Sequence, residues 1–311
     1  MDNGKPLEFG LLTRPQKLND WQVGGFSPLD FKFANPDGNW TNYLPVDEIQ
    51  NRWGFDRMAC ATFSDLNPIE ILYKFQTGHE KNFSDRFIAK LSGTTRKGNY
   101  LDTVFDTVRK NGLIEEYLYP DDANSWDEYY KELKPEFLVE AKKFLDEWEL
   151  YREWVRTDRK DDIFIALKSA PLQVTVRYAE GNGLLMPVGD WNHAVTLYNA
   201  EKWHHWEIFD HYTQSRKKYA WDYEFGAVLK PTLLKKTNKI MTIKNNTLLQ
   251  LVQGSGGFGL FLDNKILVDD TDKILASFIV RNEGKIGDMA KPITLEDWNK
   301  YEHYDLKGNL V

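Results

Sequence analysis

A chain of 311 residues, 41% apolar and 14% aromatic, has length for about two domains and ample material for a packed core. Its 47 acidic residues against 40 basic ones exclude a general nucleic-acid binder, and a single cysteine excludes an intrachain disulfide framework. No apolar run reaches the length of a membrane span and the N-terminus lacks the build of a secretory signal, so the expectation is a soluble protein, cytoplasmic or virion-associated, that binds neither membrane nor nucleic acid.

Residues 1–45, rich in Gly, Pro, Asn and Asp, read as an extended arm. Helical patterns follow from about Cys60 to Arg156. In "GFDRMACATFSDLNPIEILYKF" two helix signals compete. Asn67 as N-cap, Pro68 at the first position and Glu70 at the third form a good start, which predicts one turn at Cys60, a break near Ser64–Asn67, and then the main helix. "LDTVFDTVRKNG" places Leu101, Val104, Phe105 and Val108 on one face and ends at Gly112, a C-cap. "SWDEYYKELKPEFLVEAKKFLDEWELY" is amphipathic and divided into two helices by Pro135.

From Ile163 the pattern turns to strands: "LQVTVRY", "HAVTLYN", "HWEIFDHY" and "FGAVLKP". Helix-rich first and strand-rich second is the α+β signature. A polar, basic break spans Lys230–Lys239, and short β-like runs follow it. The expected division is a main domain over 1–233 and a β-rich module over 234–311. "GSGGFG" in that module matches G-x-G-x-x-G, but a strand pattern follows where a helix should start, so it reads as a Gly-rich hairpin.

Cys60 is either a small buried apolar residue or a nucleophile, and the second reading needs a base and a group to orient that base. The segment "HAVTLYNAEKWHHWEIFDHY" fits an antiparallel hairpin pairing Tyr198 with His205. Leu197 then faces Trp206, Val195 faces Ile208 and His193 faces Asp210, close enough for the carboxylate to accept the imidazole N–H. A surface His–Asp pair is the alternative. A metal site of His204, His205, Asp210 and His211 is disfavoured, because these residues alternate between faces of a strand and no Cys or H-E-x-x-H pattern accompanies them.

These residues resemble the papain-like cysteine peptidases. The order Cys60, His193, Asp210 is that family's order, with His193 133 residues and Asp210 150 residues after Cys60. "ACATFS" is similar to the family's Cys-x-x-Phe-Ser/Ala helix start and "NFSDRFI" to its "LSEQ-x-L" segment. "KGNYLDTVFDTVRKNGLIEEYLYP" resembles its Gly-Gly to "YPY" run, and "LKSAPLQVTVRY" the strand leading to the histidine. The likeness covers about residues 30–230.

The resemblance implies a two-lobed α+β fold, with Cys60 on a helical left lobe, His193 on a β-rich right lobe, and a small β-rich C-terminal module in addition. It implies hydrolysis of an amide through a Cys60–His193–Asp210 triad and an acyl-enzyme, with no cofactor and no metal. Gln50 would complete the oxyanion hole with the Cys60 N–H. Gly98 would lie along the substrate backbone, Tyr100 near the pocket for the side chain two positions before the cut, and Asn192 with the substrate-binding residues. The substrate would be a peptide or protein, with the C-terminal module docking another protein, a virion or a cell wall. Several features depart from the family pattern. Gln50 precedes Cys60 by ten residues instead of six, which demands a bulging loop and leaves Asn51 as a fallback. Asp210 replaces Asn, Lys97-Gly98 replaces paired glycines, and the arm is shorter than the usual inhibitory pro-segment. A cell-wall amidase of similar chemistry, and a phage virion component keeping the fold for structure or binding, are the alternatives.

Overall fold

The structure, a computed structural model, describes residues 10–14 and 34–236, together with the strand backbones of 247–251, 258–262, 265–268, 291–293 and 302–304. The rest of the expected arm, 1–9 and 15–33, lies outside the described residues. In chain order the first part comprises β1 (Leu11–Leu12), α1 (Cys60–Thr77), α2 (Asp85–Leu91), β2 (Asn99–Tyr100), α3 (Leu101–Asn111), α4 (Trp126–Tyr129) and α5 (Pro135–Glu147). Pro135 opens α5 as expected. Gly112 ends α3 at φ +83, where a Cβ would lie 1.9 Å from the Ala141 carbonyl oxygen, so only glycine lets α3 and α5 approach there.

Helix α1 is the axis of the fold. It packs against α2 and α3 on one side and against the main sheet on the other, and every residue from Cys60 to Leu72 is buried. Its polar residues are matched inward. Gln173 Nε2 donates to the Ala61 carbonyl and to Ser64 Oγ. The Asn67 carboxamide, with its nitrogen turned toward them, donates to the Phe63 carbonyl and to Glu48. The helix runs unbroken through Pro68, correcting the expected break and the N-cap role of Asn67. Pro68 removes one i→i−4 bond, at a cost of about 3 kcal/mol. Burial on all faces offsets that cost, because a break here would pull apolar residues out of both lobes.

The second part comprises β3 (Trp148–Trp154), α6 (Lys160–Leu167), β4 (Leu172–Val176), β5 (Leu184–Leu185), β6 (His193–Glu201), β7 (His205–Asp210), β8 (Ser215–Ala220) and β9 (Val228–Lys235). These strands form one sheet in the order β3-β9-β4-β6-β7-β8-β5, antiparallel except for the β5–β8 pair. Two sequence expectations change here. The helical reading to Arg156 stops at Glu147, because Trp148–Trp154 pairs along β9 and buries Trp148 and Leu150 by alternation. The strand reading from Ile163 begins only at Leu172, since Ile163–Leu167 belong to α6.

The β6–β7 hairpin also differs in register. Leu197 pairs with Ile208 and, past a bulge at Tyr198, Asn199 pairs with Glu207 and Glu201 with His205. The expected pairing of Leu197 with Trp206 left a six-residue loop; the actual hairpin closes with three, Trp203 taking φ +72 in the turn. A slip of two residues preserves the side-chain faces, so His193 and Asp210 stay on the same side as diagonal neighbours instead of opposite ones.

The chain divides into two units, Met1–Thr237 and Asn238–Val311. The second holds β10 (Thr247–Leu251), β11 (Phe258–Leu262), β12 (Lys265–Val268), β13 (Lys291–Ile293) and β14 (Glu302–Tyr304), in the sheet order β13-β10-β11-β12-β14. Strands β10 and β11 pair antiparallel on either side of the Gly-rich stretch, most of which lies outside the described residues. Among the described residues, no helix is long and apolar enough to cross a membrane.

Candidate active site

Cys60 is the first residue of α1 and is fully buried. Its position answers the question left by the competing helix signals: it sits on the N-terminal turn of a long helix, whose dipole favours a thiolate. Burial pushes the thiol well above its ordinary value. The backbone N–H groups of Ala194 and Ala61 oppose that shift, and the carboxylates of Asp56 and Asp210 add to it. The Ala194 N–H brings β6, one residue beyond His193, against the sulfur.

His193 opens β6 opposite Val176 of β4 and is fully buried. Its Nε2 lies 2.8 Å from Asp210 Oδ1. The same Asp210 oxygen accepts the Tyr212 N–H at 3.0 Å, and the other accepts from Lys217 Nζ at 2.6 Å. Burial alone would raise the Asp210 carboxyl, but His193 and Lys217 outweigh it and hold the group far below the usual carboxylate range. Asp210 is therefore a fixed anion facing two cationic or cation-forming groups. His211 stacks on Phe63 with ring centroids 5.1 Å apart and lies 5.4 Å from the His193 ring. Burial, then the neighbouring His193, pushes its imidazole far down, so it is a neutral packing piece. Tyr178 and Tyr212 contact the His193 ring edge-on.

The lengthened Gln50–Cys60 loop does bulge. Arg52–Gly54 forms a short 3-10 turn, with Trp53 at φ +61 and exposed. Beneath it the buried Arg57 pairs with Asp121 at 2.6 Å and donates to the carbonyls of Gln50, Arg52 and Phe55. Gln50 is buried; its Nε2 donates to Asp56 Oδ1 at 2.8 Å, and its backbone N–H to the His211 carbonyl at 2.9 Å. Tyr212 also hydrogen-bonds Asp56, so one carboxylate joins the Gln50 loop to the strand lobe. The Asn51 N–H meets the Tyr212 carbonyl at 3.4 Å. Asn192 lies beside His193, with its side-chain oxygen accepting the Tyr178 N–H at 3.0 Å.

Of the two residues expected along the substrate, Gly98 is buried beside the chain's own arm, whereas Tyr100 pairs with the arm yet stays exposed. Leu11 pairs with Asn99 and Leu12 with Tyr100, in parallel. The Gly10 carbonyl accepts the Asn99 N–H at 2.9 Å. A Cβ on Gly98 (φ +92) would lie 1.7 Å from the Gly10 oxygen, and a Cβ on Gly10 (φ +86) 2.1 Å from the Met58 oxygen. Two glycines are required for the arm to pass between Gly98 and Met58, two residues before Cys60. Beyond Gly10, residues Leu11–Arg14 line one cavity together with Leu101 and Asp102 of the helical lobe and Trp154, Thr175 and Trp191 of the strand lobe. Arg14 touches both lobes, Asp102 on one and Trp154 on the other, so this part of the arm lies in the cleft.

Sequence reasoning missed Lys217, Asp56, Arg57 and the path of the arm. Lys217 carried a readable signal, because it shares a strand face with the buried Tyr219. Asp56 and Arg57 lie in irregular loop, where no periodicity reports burial.

No family model matches this sequence, and no curated protein does. Among solved structures the chain is similar to digestive procathepsin L 3 of the Tenebrio molitor larval midgut, with a TM-score of 0.53 and 16% identity over 72% of this chain and 76% of that one. Weaker likenesses are to the proform of Amb a 11, the ragweed pollen cysteine protease (TM-score 0.48, 15% identity, 68% of this chain and 71% of that one), and to bromelain of Ananas comosus (TM-score 0.47, 18% identity, 62% and 97%). The fold of residues 1–237 is papain-like, a two-lobed α+β architecture, and the first likeness carries that conclusion.

Proposed function

We propose that this chain is a papain-like cysteine peptidase. The observation that supports the reading is a buried Cys60 at the start of α1 that takes a hydrogen bond from the Ala194 N–H, next in sequence to a buried His193 whose Nε2 lies 2.8 Å from Asp210. With Nε2 committed to Asp210, His193 takes the thiol proton on Nδ1. The thiolate attacks the amide carbonyl carbon, and the oxyanion is received by the Cys60 N–H and by the second amide hydrogen of Gln50, the first being on Asp56. The imidazolium returns its proton to the leaving amine, and water then hydrolyses the thioester with His193 as base. Asp210 stays ionised throughout and fixes the tautomer. In this reading the arm must leave the cleft before a substrate enters.

The test is hydrolysis of a panel of unstructured peptides by the Arg14→Ala chain, whose arm has lost its ion pair. Cleavage that disappears in the added Cys60→Ala or His193→Ala variant is the expected result. No cleavage, together with a Cys60 that resists alkylation until the chain unfolds, overturns the reading. That second outcome would favour a papain-like fold used for binding, which the complete burial of Cys60 supports.

A further inference from the structure

We infer that Asp102 and Trp154 form a recognition pocket for a basic side chain, filled in this structure by the chain's own Arg14. The inference rests on the reading of Gly98–Tyr100 as the substrate shelf and adds a selectivity to it. Arg14 Nε lies 2.6 Å from Asp102 Oδ2, both side chains being only 16% exposed. Its guanidinium carbon lies 5.3 Å from the Trp154 ring centroid. A carboxylate at the edge and an indole face beneath it suit a planar cation, which gains an ion pair and a cation–π contact in the same place.

The two walls come from different lobes. Asp102 stands in the first turn of α3, and Trp154 ends β3. A cavity of about 250 Å³ beside the arm runs from Asp102 and Trp154 to Thr175, Trp191 and Gly226. A ligand lying on the Gly98–Tyr100 shelf therefore reaches this pocket with a side chain a few residues along. Among the described residues, the strand that delivers Arg14 pairs with β2 at two positions, Leu11 with Asn99 and Leu12 with Tyr100, so a peptide of the same sequence can take the same register. Removing Arg14 leaves a largely buried carboxylate beside an aromatic ring, a setting that discriminates against neutral and acidic side chains.

The experiment uses the full-length Arg14→Ala chain and three fluorescein-labelled peptides of the sequence Gly-Leu-Leu-Thr-X-Pro, with X arginine, citrulline or glutamate. Fluorescence anisotropy gives the affinities. The arginine peptide is expected to bind at least about tenfold tighter than its citrulline isostere, with the glutamate peptide weakest. Adding Asp102→Asn should abolish the preference. Equal binding of arginine and citrulline peptides, a preference that survives Asp102→Asn, or no binding of any peptide would overturn the proposal and leave Arg14–Asp102 as a structural tether. The arginine–citrulline comparison needs no second mutation, so the proposal stays open to refutation even if Asp102→Asn misfolds. Cleavage plays no part in the readout: binding without hydrolysis would support the pocket, and the peptidase reading stands or falls on the panel cleavage and Cys60 alkylation described above.

Discussion

Lys217 and Asp210 form a buried ion pair, Nζ 2.6 Å from Oδ2, directly behind the His193 ring. They are diagonal neighbours on β8 and β7, and the lysine Nζ also lies 4.2 Å from the Tyr178 ring centroid. Asp210 thus answers two partners through its two oxygens. The arrangement holds its carboxyl far below the usual carboxylate range against the effect of burial, His193 being the larger influence and Lys217 the next.

Replacing Lys217 by Met should reveal this through pH. A carboxylate held below its ordinary value in the folded state stabilises the fold above the unfolded value near 4, and that stabilisation is lost as pH falls through the folded value. Lys217→Met weakens the depression of Asp210. The variant should be about 2–4 kcal/mol less stable than the parent at pH 7, a gap that narrows only once pH falls through the variant's own folded value for Asp210. Urea denaturation at pH 7 checks this; equal stability of parent and variant there would show that Asp210 does not depend on Lys217.

Cys60 should be slow to react while the arm lies in the cleft. Burial is the largest cause of its raised value, so opening the cleft removes the main obstacle to the thiolate. Iodoacetamide at neutral pH should alkylate the Arg14→Ala chain roughly tenfold faster than the parent, and His193→Ala in that background should cancel the gain. Mass spectrometry of the modified chain reads the single thiol directly.

Arg57 holds the long loop before Cys60 from within. Arg57→Met leaves Asp121 buried without its paired cation and removes a donor from the carbonyls of Gln50, Arg52, Phe55 and Ala123. A loss of about 3–5 kcal/mol is expected in urea denaturation, with Arg57→Lys intermediate because it keeps charge but not the planar fork.

The helical lobe buries carboxyl groups that act in the opposite sense to Asp210. Burial pushes Glu70 up to about 8, and Glu48 and Asp85, which share a hydrogen bond, are likewise raised by burial first and by neighbouring carboxylates next. An acid raised in the folded state favours the fold below its unfolded value near 4.5, and that contribution is lost as pH rises through about 8. Thermal unfolding of the parent should therefore weaken from pH 5 to pH 9, and Glu70→Gln should flatten that decline. An identical slope in the variant would exclude Glu70 as its source.

Most of the candidate site was legible in sequence because strand alternation and chain order survive small geometric errors. The His193–Asp210 contact followed from face parity alone: over Thr196–Leu197 the register differs from the expected one by two residues, which leaves the faces unchanged, and the bulge at Tyr198 adds one more only toward the turn. Pro68 misled for a related reason. Local helix signals describe an isolated segment, whereas α1 is buried on every side, and tertiary packing overrode the local preference. Trp148–Trp154 became a strand because β9 offered it an edge, a fact that lies some eighty residues away in sequence. Arg14, Asp56 and Arg57 owe their roles to partners distant in the chain or to irregular backbone, where no periodic pattern marks the buried face.

Helix α1 carries Cys60 at one end, and near the other Gln76 Nε2 donates to the Leu233 carbonyl of β9. Between those ends it touches both lobes along its length. It acts as a spindle common to the two halves, so turning one half about the other would drag the thiol away from His193. Under the peptidase reading proposed above, substrate entry is then an exchange of strands on a rigid seat. Clamping the lobes together with an engineered cross-link away from the cleft should leave the reactivity of Cys60 in the Arg14→Ala chain unchanged.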